Sequence, residues 1–485
     1  MKPNVLWICT DQQRYDTLRC NGNDRIDTPN LDALAARGTR FENAYCQSPV
    51  CSPSRGSFLT GRYPRTCRLR QNGQRIPAEE TLVTKLFAQA GYTAGLVGKL
   101  HIAPCHTSVC RSSEPRIDDG YSVFHWSHHP DYYGRESNWP LNEYNIWLAS
   151  QGQQYTRTPY NGSEYVTTGP DQEYCHSHWC AEKSIEFIRA HAAYPSNPWL
   201  LSVNLYDPHH DFDPCRELLE KYRKRLSEKD LPNYQPGELD NKPQVQQQDH
   251  EGAYGVPGWY EYDKMTDQDH LLVKAAYYAM VEQLDREVGR ILAALEESGQ
   301  ADNTIVVFHS DHGEMLGDHG IYLKGGYFYE PMIKVPLLFS WPGRIASGVT
   351  RTALTELVDI APTLLDLCGL PAWPGMQGRS LRALLSENNC QDYHRSSVYC
   401  EYGNAMRHNG NPGTFASMVA TERYKLCYYH DENCGELYDL QEDPQERRNL
   451  YEESAYAQIR TEMLQALLNR IAFTADPLPV REAAY

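Results

Sequence analysis

The sequence lacks an apolar run long enough to cross a membrane, and it is poor in positive charge. Its 46 lysines and arginines stand against 63 acidic residues, which gives a formal net charge of -17. A surface this acidic repels nucleic acids and anionic membranes, so we expect neither as a partner. An anionic substrate would therefore need a local cluster of cationic side chains at its binding site.

We also expect no signal peptide, because the chain passes from Met1 into a short apolar run that ends at Asp11. The sequence therefore predicts a cytoplasmic protein, or a periplasmic or secreted one if a leader has been removed. The 15 cysteines lack zinc-ribbon spacing. Disulfides could join Cys105 to Cys110 and Cys175 to Cys180, but reduced thiols fit a cytoplasmic chain better.

Alternating strand and helix patterns predict a doubly wound α/β fold, with a large mixed sheet flanked by helices, over residues 1–375. The predicted strands are 4–10, 93–97, 199–205, 303–308 and 335–339, and the main predicted helices are 29–36, 81–90 and 271–295. Two stretches fit this pattern badly, at about 105–180 and 211–270, and we interpret them as insertions. Short strands followed by a helix predict a smaller α+β domain over residues 376–485.

Polar side chains follow four of the predicted strands, at the carboxyl ends where open α/β sheets bind ligands. In chain order they are Asp11 and Gln12, Lys99 and His101, Asp207 with His209 and His210, and Asp311 with His312, followed by Lys324. Each has an ordinary explanation on its own, since an aspartate after a strand often forms a turn. Together they combine ligands for a divalent metal with cations that would neutralise an anionic substrate.

The most specific segment runs from Cys51 to Arg62 and reads CSPSRGSFLTGR. It matches the signature of the type I sulfatases, whose leading cysteine becomes formylglycine, at Cys51, Pro53, Arg55, Leu59, Thr60, Gly61 and Arg62. The chain therefore resembles this family, which has an alkaline-phosphatase-like fold. The resemblance covers most of the chain.

The resemblance implies a sulfatase that removes sulfate from an organic ester. A formylglycine-generating maturation enzyme would modify Cys51, and a divalent metal would be the cofactor. The implied metal ligands are Asp11, Gln12, Asp311, His312 and the modified Cys51. The resemblance also implies the catalytic residues. Arg55 and Lys99 would fix the formylglycine, and Lys99 and Lys324 would hold the sulfate. His101 and His209 would be the acid/base pair.

Two positions depart from the family pattern. Many members have aspartate in place of Gln12 and asparagine in place of His312, so this chain has less negative charge around the metal. We expect Ca²⁺ first, Mn²⁺ second, with Mg²⁺ also compatible. A second histidine follows His209, so His210 could take the role given to His209.

The substrate is indicated less directly. Aromatic and basic residues between 105 and 180, including Trp126 and Arg111, suit a charged sugar ring, although packing of the segment explains them equally well. We expect Trp126, Arg111 and His210 to bind substrate. The spacing from Asp311 to Lys324 resembles sulfatases that act on uronate 2-sulfates, which favours a glycosaminoglycan-type fragment. The alternatives are a phosphonate or phosphate ester hydrolase of the same superfamily and a non-catalytic sulfate-ester-binding protein.

Overall fold

The computed structural model describes residues 2–106, 108–110, 113–130, 142–387, 392–406, 413–430, 432, 434–481 and 483. Strand β1, Asn4–Thr10, lies inside the main sheet, and all seven of its residues are buried. Successive strand residues point to opposite faces. Val5 and Trp7 therefore enter one hydrophobic core, whereas Leu6 and Ile8 enter the other.

The main sheet has eight strands in the described part of the chain. They are β1, β2 (Thr39–Phe41), β4 (Thr93–Gly98), β5 (Val123–Trp126), β8 (Trp199–Asn204), β9 (Thr304–Ser310), β10 (Leu337–Ser340) and β11 (Val349–Arg351). Their order is β11-β2-β10-β9-β1-β8-β4-β5. Strand β10 is antiparallel to both of its neighbours, and the other adjacent pairs are parallel. The sheet is therefore mixed, as predicted.

Helices cover both faces of this sheet. The described α-helices of the whole chain are α1 (Pro29–Ala36), α2 (Cys51–Thr60), α3 (Pro64–Cys67), α4 (Val83–Gln89), α5 (Glu143–Ser150), α6 (His176–Ala192), α7 (Arg216–Arg225), α8 (Gln244–His250), α9 (Asp267–Glu297), α10 (Glu330–Ile333), α11 (Ile360–Leu367), α12 (Arg382–Leu385) and α13 (Ala457–Phe473). Apolar residues of α1, α6 and α9 pack on one face, and those of α2, α4 and α11 pack on the other. The doubly wound α/β prediction is confirmed.

A small antiparallel sheet follows near the C-terminus. Its strands are β13 (Val398–Gly403), β14 (Phe415–Ala420), β15 (Tyr424–His430) and β16 (Cys434–Asp439), in that order. Helix α13 covers one face, where Met463 and Leu467 share a core with Val419 and Leu426. Two further strand pairs join β3 (Ala44–Tyr45) to β12 (Thr355–Glu356) and β6 (Thr158–Pro159) to β7 (Thr167–Thr168).

The stretch 105–180 differs in part from the predicted insertion. Strand β5 pairs in parallel with β4 and completes one edge of the main sheet, and α6 begins at His176. The sequence pattern missed β5 because only its last residue is fully buried, so it lacks a continuous apolar run. The described cysteines are all free thiols. None of the described helices combines the length and apolarity needed to cross a bilayer.

Candidate active site

The predicted site residues converge because β4, β8, β1 and β9 are parallel neighbours, whose carboxyl ends lie along one edge of the sheet. At this edge, β4 is followed by Lys99 and His101, and β8 by His209 and His210. Strand β1 is followed by Asp11 and Gln12, and β9 by Asp311 and His312. Helix α2 and the loop that holds Lys324 close the cluster from the side. The side chains of these residues are all buried.

Cys51 is the first residue of α2, a ten-residue helix that is buried throughout. Its Sγ atom lies 3.1 Å from His312 Nε2, 3.2 Å from Lys324 Nζ and 3.6 Å from Asp11 Oδ1. Burial and Asp11 act to raise the pKa of the Cys51 thiol, but Lys324, Lys99 and His312 outweigh them and the pKa is lowered. The Sγ atom marks where the oxygen atoms of a formylglycine would stand. The position therefore favours an anionic group.

Arg55 joins the two carboxylates of the site. Its Nε atom lies 2.9 Å from Asp311 Oδ2, and its second terminal nitrogen lies 3.2 Å from Asp11 Oδ2. Lys99 Nζ lies 2.5 Å from the same Asp11 oxygen. Burial alone would raise the pKa of Asp11, but Lys99 and Arg55 hold it well below its usual range. Asp11 therefore stays ionised at neutral pH.

The donor set fits a divalent metal. Ligand atoms of Asp11, Cys51, Asp311 and His312 lie within 4.8 Å of one another. His312 Nδ1 lies 2.8 Å from the Gly313 carbonyl and donates to it, which leaves Nε2 facing the other donors. Burial acts to lower the pKa of His312, but Asp311 and Cys51 outweigh it and raise the pKa to about 9, so an ion that binds at Nε2 would displace a proton. Carboxylate oxygens with one imidazole suit Ca²⁺, Mg²⁺ or Mn²⁺.

Gln12 is held at the site by a buried acid that the sequence analysis missed. The Gln12 side-chain amide donates to Glu314, which also accepts from the backbone N–H groups of Leu316 and Leu323. This leaves Gln12 Oε1 facing Lys324 Nζ, at 2.6 Å. Glu314 follows β9 on the same loop as Asp311, and that position was the available signal. Burial raises the pKa of Glu314.

Lys324 lies between Cys51 and His209, with its Nζ atom 2.6 Å from His209 Nε2. His209 Nδ1 lies 2.8 Å from the hydroxyl of Tyr206, another residue missed by the sequence analysis. Burial, followed by Lys324, lowers the pKa of His209 well below the usual histidine value. His210 stacks on His209, and its Nδ1 lies 3.1 Å from Gln12 Nε2. His209 is therefore the nearer imidazole to Lys324.

His101 follows Lys99 after β4 and has a left-handed backbone conformation, with φ of 57°. Its backbone N–H donates to Glu114 Oε2 at 2.7 Å, and the N–H of Ile102 donates to Oε1 at 2.9 Å. Burial and then His128 lower the pKa of His101 well below the usual value. The ring is therefore neutral at neutral pH.

The predicted substrate-binding residues have different positions. His210 belongs to the cluster, beside the rings of Tyr254 and Trp259. Trp126 is buried at the end of β5, where its Nε1 donates to Glu114 at 2.9 Å, so it supports the turn of His101. Direct contact of Trp126 with substrate stays a prediction. Arg111 lies outside the described residues.

The mixed sheet and the small C-terminal sheet are those of the alkaline-phosphatase-like fold. The chain belongs to the sulfatase family, because the family described as Sulfatase matches residues 3–370. A second family, described as N-sulphoglucosamine sulphohydrolase, C-terminal, matches residues 317–472. The chain is accordingly a sulfuric ester hydrolase.

Individual relatives agree with this assignment. The chain is 29% identical to an arylsulfatase of Clostridium perfringens over 96% of this chain and 94% of that one. It is 27% identical to an N-acetylglucosamine-6-O-sulfatase of Bacteroides thetaiotaomicron, over 96% and 86%. Its fold is similar to that of a phosphonate monoester hydrolase from Silicibacter pomeroyi, with a TM-score of 0.82, 23% identity and coverage of 98% and 96%.

Proposed function

We propose that this enzyme removes sulfate from a sulfated saccharide, with a formylglycine at position 51 and a divalent metal as cofactor. The observation that carries the proposal is the position of Cys51, whose Sγ contacts a metal-ligand candidate, His312, and a cation, Lys324. Among the relatives, the N-acetylglucosamine-6-O-sulfatase supports a saccharide substrate. A uronate 2-O-sulfate within a glycosaminoglycan-type fragment is our preferred substrate.

Asp11, Gln12, Asp311, His312 and the modified residue 51 would hold the metal, with Ca²⁺ preferred over Mn²⁺ or Mg²⁺. When bound, the metal would supply positive charge that polarises a sulfate oxygen and lowers the pKa of a coordinated hydroxyl. The formylglycine, once hydrated, would supply an oxygen nucleophile on the carbon that now carries Sγ. A formylglycine-generating enzyme is the partner that this modification requires.

The protein side chains provide charge and proton transfer around these groups. Arg55 and Lys99 hold the carboxylates in place, and Lys99 and Lys324 bring positive charge to the sulfate oxygens. The N-terminus of α2 adds its positive end at residue 51.

Lys324 Nζ is placed to give a proton to the departing alcohol oxygen, and the neutral ring of His209 accepts a hydrogen bond from Lys324 at Nε2 and so orients it. His101 is the proposed base that removes a proton from the group at residue 51. Each such transfer is typically worth about a hundredfold to ten-thousandfold in rate.

Gln12 and His312 favour one second candidate, a phosphonate or phosphate monoester hydrolase of the same superfamily. An Asp/Gln and Asp/His ligand set reduces the negative charge around the metal, and a phosphonate monoester is also a tetrahedral anion. A parallel assay with an aryl sulfate and the matching aryl phosphonate monoester distinguishes the two functions. The proposal requires a higher kcat/KM for the sulfate.

The first test is the mass of the peptide that carries Cys51, from protein made in a host that has the maturation enzyme. We expect an aldehyde at this position and release of sulfate from sulfated saccharides. The Cys51→Ala variant, made in the same host, is the matched control and should release no sulfate. An unmodified thiol in protein that still releases sulfate would contradict the formylglycine mechanism.

A further inference from the structure

A second group of metal-binding side chains lies beside the catalytic cluster, at His101, Cys105 and His128. One ligand atom from each residue lies within 4.8 Å of the others. His101 is buried, whereas Cys105 and His128 are partly exposed, so the group lies near the protein surface. One sulfur and two imidazoles select a borderline-soft ion such as Zn²⁺ over Ca²⁺ or Mg²⁺.

Two ring nitrogens of this group are unsatisfied among the described residues. Nδ1 of His101 and Nδ1 of His128 are both buried without a hydrogen-bond partner. Buried polar atoms are nearly always paired, so two orphaned nitrogens on adjacent rings need an explanation. The ring centroids are only 4.4 Å apart. A bound ion would supply the missing partner.

Glu114 preorganises two of the three ligands, His101 and Cys105. It fixes the turn of His101 through the backbone N–H groups of His101 and Ile102, and its Oε2 atom lies 3.6 Å from Cys105 Sγ. Burial, followed by Glu114, raises the pKa of the Cys105 thiol well above its usual value. The thiol is therefore protonated without metal. Metal binding would form one sulfur–metal bond and release the thiol proton to solvent.

We propose that His101, Cys105 and His128 form an inhibitory site for Zn²⁺ or a similar borderline-soft divalent ion, separate from the metal site at Asp11 and Asp311. An ion there would occupy the imidazole of His101, which then could not accept a proton during turnover. The effect on turnover rests on the proposed function, whereas the binding itself does not.

The test uses the mature enzyme with Ca²⁺ in excess, titrated with cobalt chloride and with zinc chloride. We expect Co²⁺ to produce a thiolate-to-cobalt charge-transfer absorption and Zn²⁺ to inhibit sulfate release. Cys105→Ser and His128→Gln should each weaken both effects by about tenfold or more, since even loss of an outer-shell partner often costs that much. Cys110→Ser is the matched control, because Cys110 is a buried thiol of the same segment outside the group.

Each other outcome overturns the proposal. Zinc inhibition that is unchanged in both variants would place the ion at Asp11 and Asp311 instead. Absence of the cobalt absorption would show that these residues do not bind the ion. Absorption without inhibition of sulfate release would show that the site is not inhibitory. If Cys105→Ser does not fold, His128→Gln alone decides. An enzyme that releases no sulfate even without zinc would contradict the proposed function, while the cobalt spectrum would still report on the site.

Discussion

The buried carboxylates of the candidate active site are balanced by buried cations before any metal binds. Asp11 and Asp311 are fully buried, and Arg55 contacts both of them while Lys99 contacts Asp11. Two cations therefore balance two carboxylates within the protein itself. A buried charge that loses its partner is strongly destabilising, whereas an exposed pair contributes little.

The first prediction compares Arg55→Met with removal of metal by a chelator. Arg55→Met should lower the free energy of unfolding by about 3–5 kcal/mol, because both carboxylates lose a buried partner. Chelation should abolish sulfate release yet leave cooperative unfolding, because Arg55 and Lys99 remain. Urea denaturation measures both effects.

Arg189→Met is the control for this experiment, since Arg189 pairs with Glu297 at the surface and should change stability by less than about 1 kcal/mol. An Arg55 variant as stable as the wild type would show that the carboxylates do not depend on this cation.

The second prediction concerns proton delivery by Lys324 and His209. Lys324→Ala and His209→Asn should lower kcat/KM by about a hundredfold to ten-thousandfold for alcohols that leave poorly. The loss should be smaller for nitrophenyl sulfate, whose leaving group needs no proton. Lys324→Ala should be the more severe change, because Lys324 also contacts Gln12 and Cys51.

Lys334→Ala serves as the control for Lys324, since it removes a lysine that pairs with Glu330 outside the catalytic cluster. Equal losses for good and poor leaving groups would assign Lys324 and His209 a role in binding rather than in proton transfer.

At the scale of elements, the first turn of α1 is hydrogen-bonded to a side chain of α9. Asp285 of α9 accepts hydrogen bonds from the backbone N–H groups of Asn30, at 3.2 Å, and Leu31, at 2.8 Å. Side-chain acceptors are needed here because the first N–H groups of a helix have no partner within it. Thr28, the residue before α1, makes no side-chain capping hydrogen bond, so the acceptor comes from another helix.

The third prediction is that Asp285→Ala lowers the free energy of unfolding by about 1–3 kcal/mol, because a buried N–H loses its acceptor. Burial raises the pKa of Asp285 to about 6 in the folded protein, above its usual value near 4. The folded state therefore binds more protons in this range. The stability that Asp285 contributes is full below pH about 4 and declines as pH rises through about 6.

Urea denaturation of wild type and variant across this pH range measures the difference, with the exposed Asp302→Ala as control. A stability difference that grows as pH rises would contradict the assignment.

At the scale of the whole molecule, the small C-terminal sheet is joined to the catalytic part through a buried lysine. Lys425 of β15 lies 2.6 Å from Glu330 of α10 and 2.7 Å from Glu446, and its side chain is fully buried. It also donates to the Phe328 carbonyl at 3.1 Å. Burial acts to lower the pKa of Lys425, but Glu330 and Glu446 outweigh it and the pKa is raised. The lysine therefore stays charged.

The fourth prediction is that Lys425→Met lowers the free energy of unfolding by about 3–5 kcal/mol, since the buried carboxylate of Glu446 loses its cation and the partly exposed Glu330 keeps only Lys334. Unfolding of the C-terminal sheet should then precede that of the main sheet, which native-state hydrogen exchange detects. Lys264→Ala, which removes an exposed lysine, should change stability by less than about 1 kcal/mol. A single unshifted transition for Lys425→Met would show that the ion pairs do not join the two parts.

The sequence by itself determined the fold class, the central strands and the residues that meet at their carboxyl ends. Long apolar runs such as Asn4–Thr10 are readable because a strand buried on both faces has no polar positions. Parallel neighbours then bring Asp11 and Asp311 together without further information. The motif that begins at Cys51 added the family and the chemistry.

Only the tertiary structure decided which polar residues support the site and how their protons are arranged. Glu314, Glu114 and Tyr206 carry no motif, and each acts through a contact made after folding. The edge strand β5 and the partner of α1 were hidden for the same reason, since their stabilising contacts come from distant parts of the chain. The local pattern of apolar and polar residues indicates which side chains are buried. Strand pairing, side-chain orientation and pKa values depend on neighbours from distant parts of the chain, which come into contact only in the folded protein.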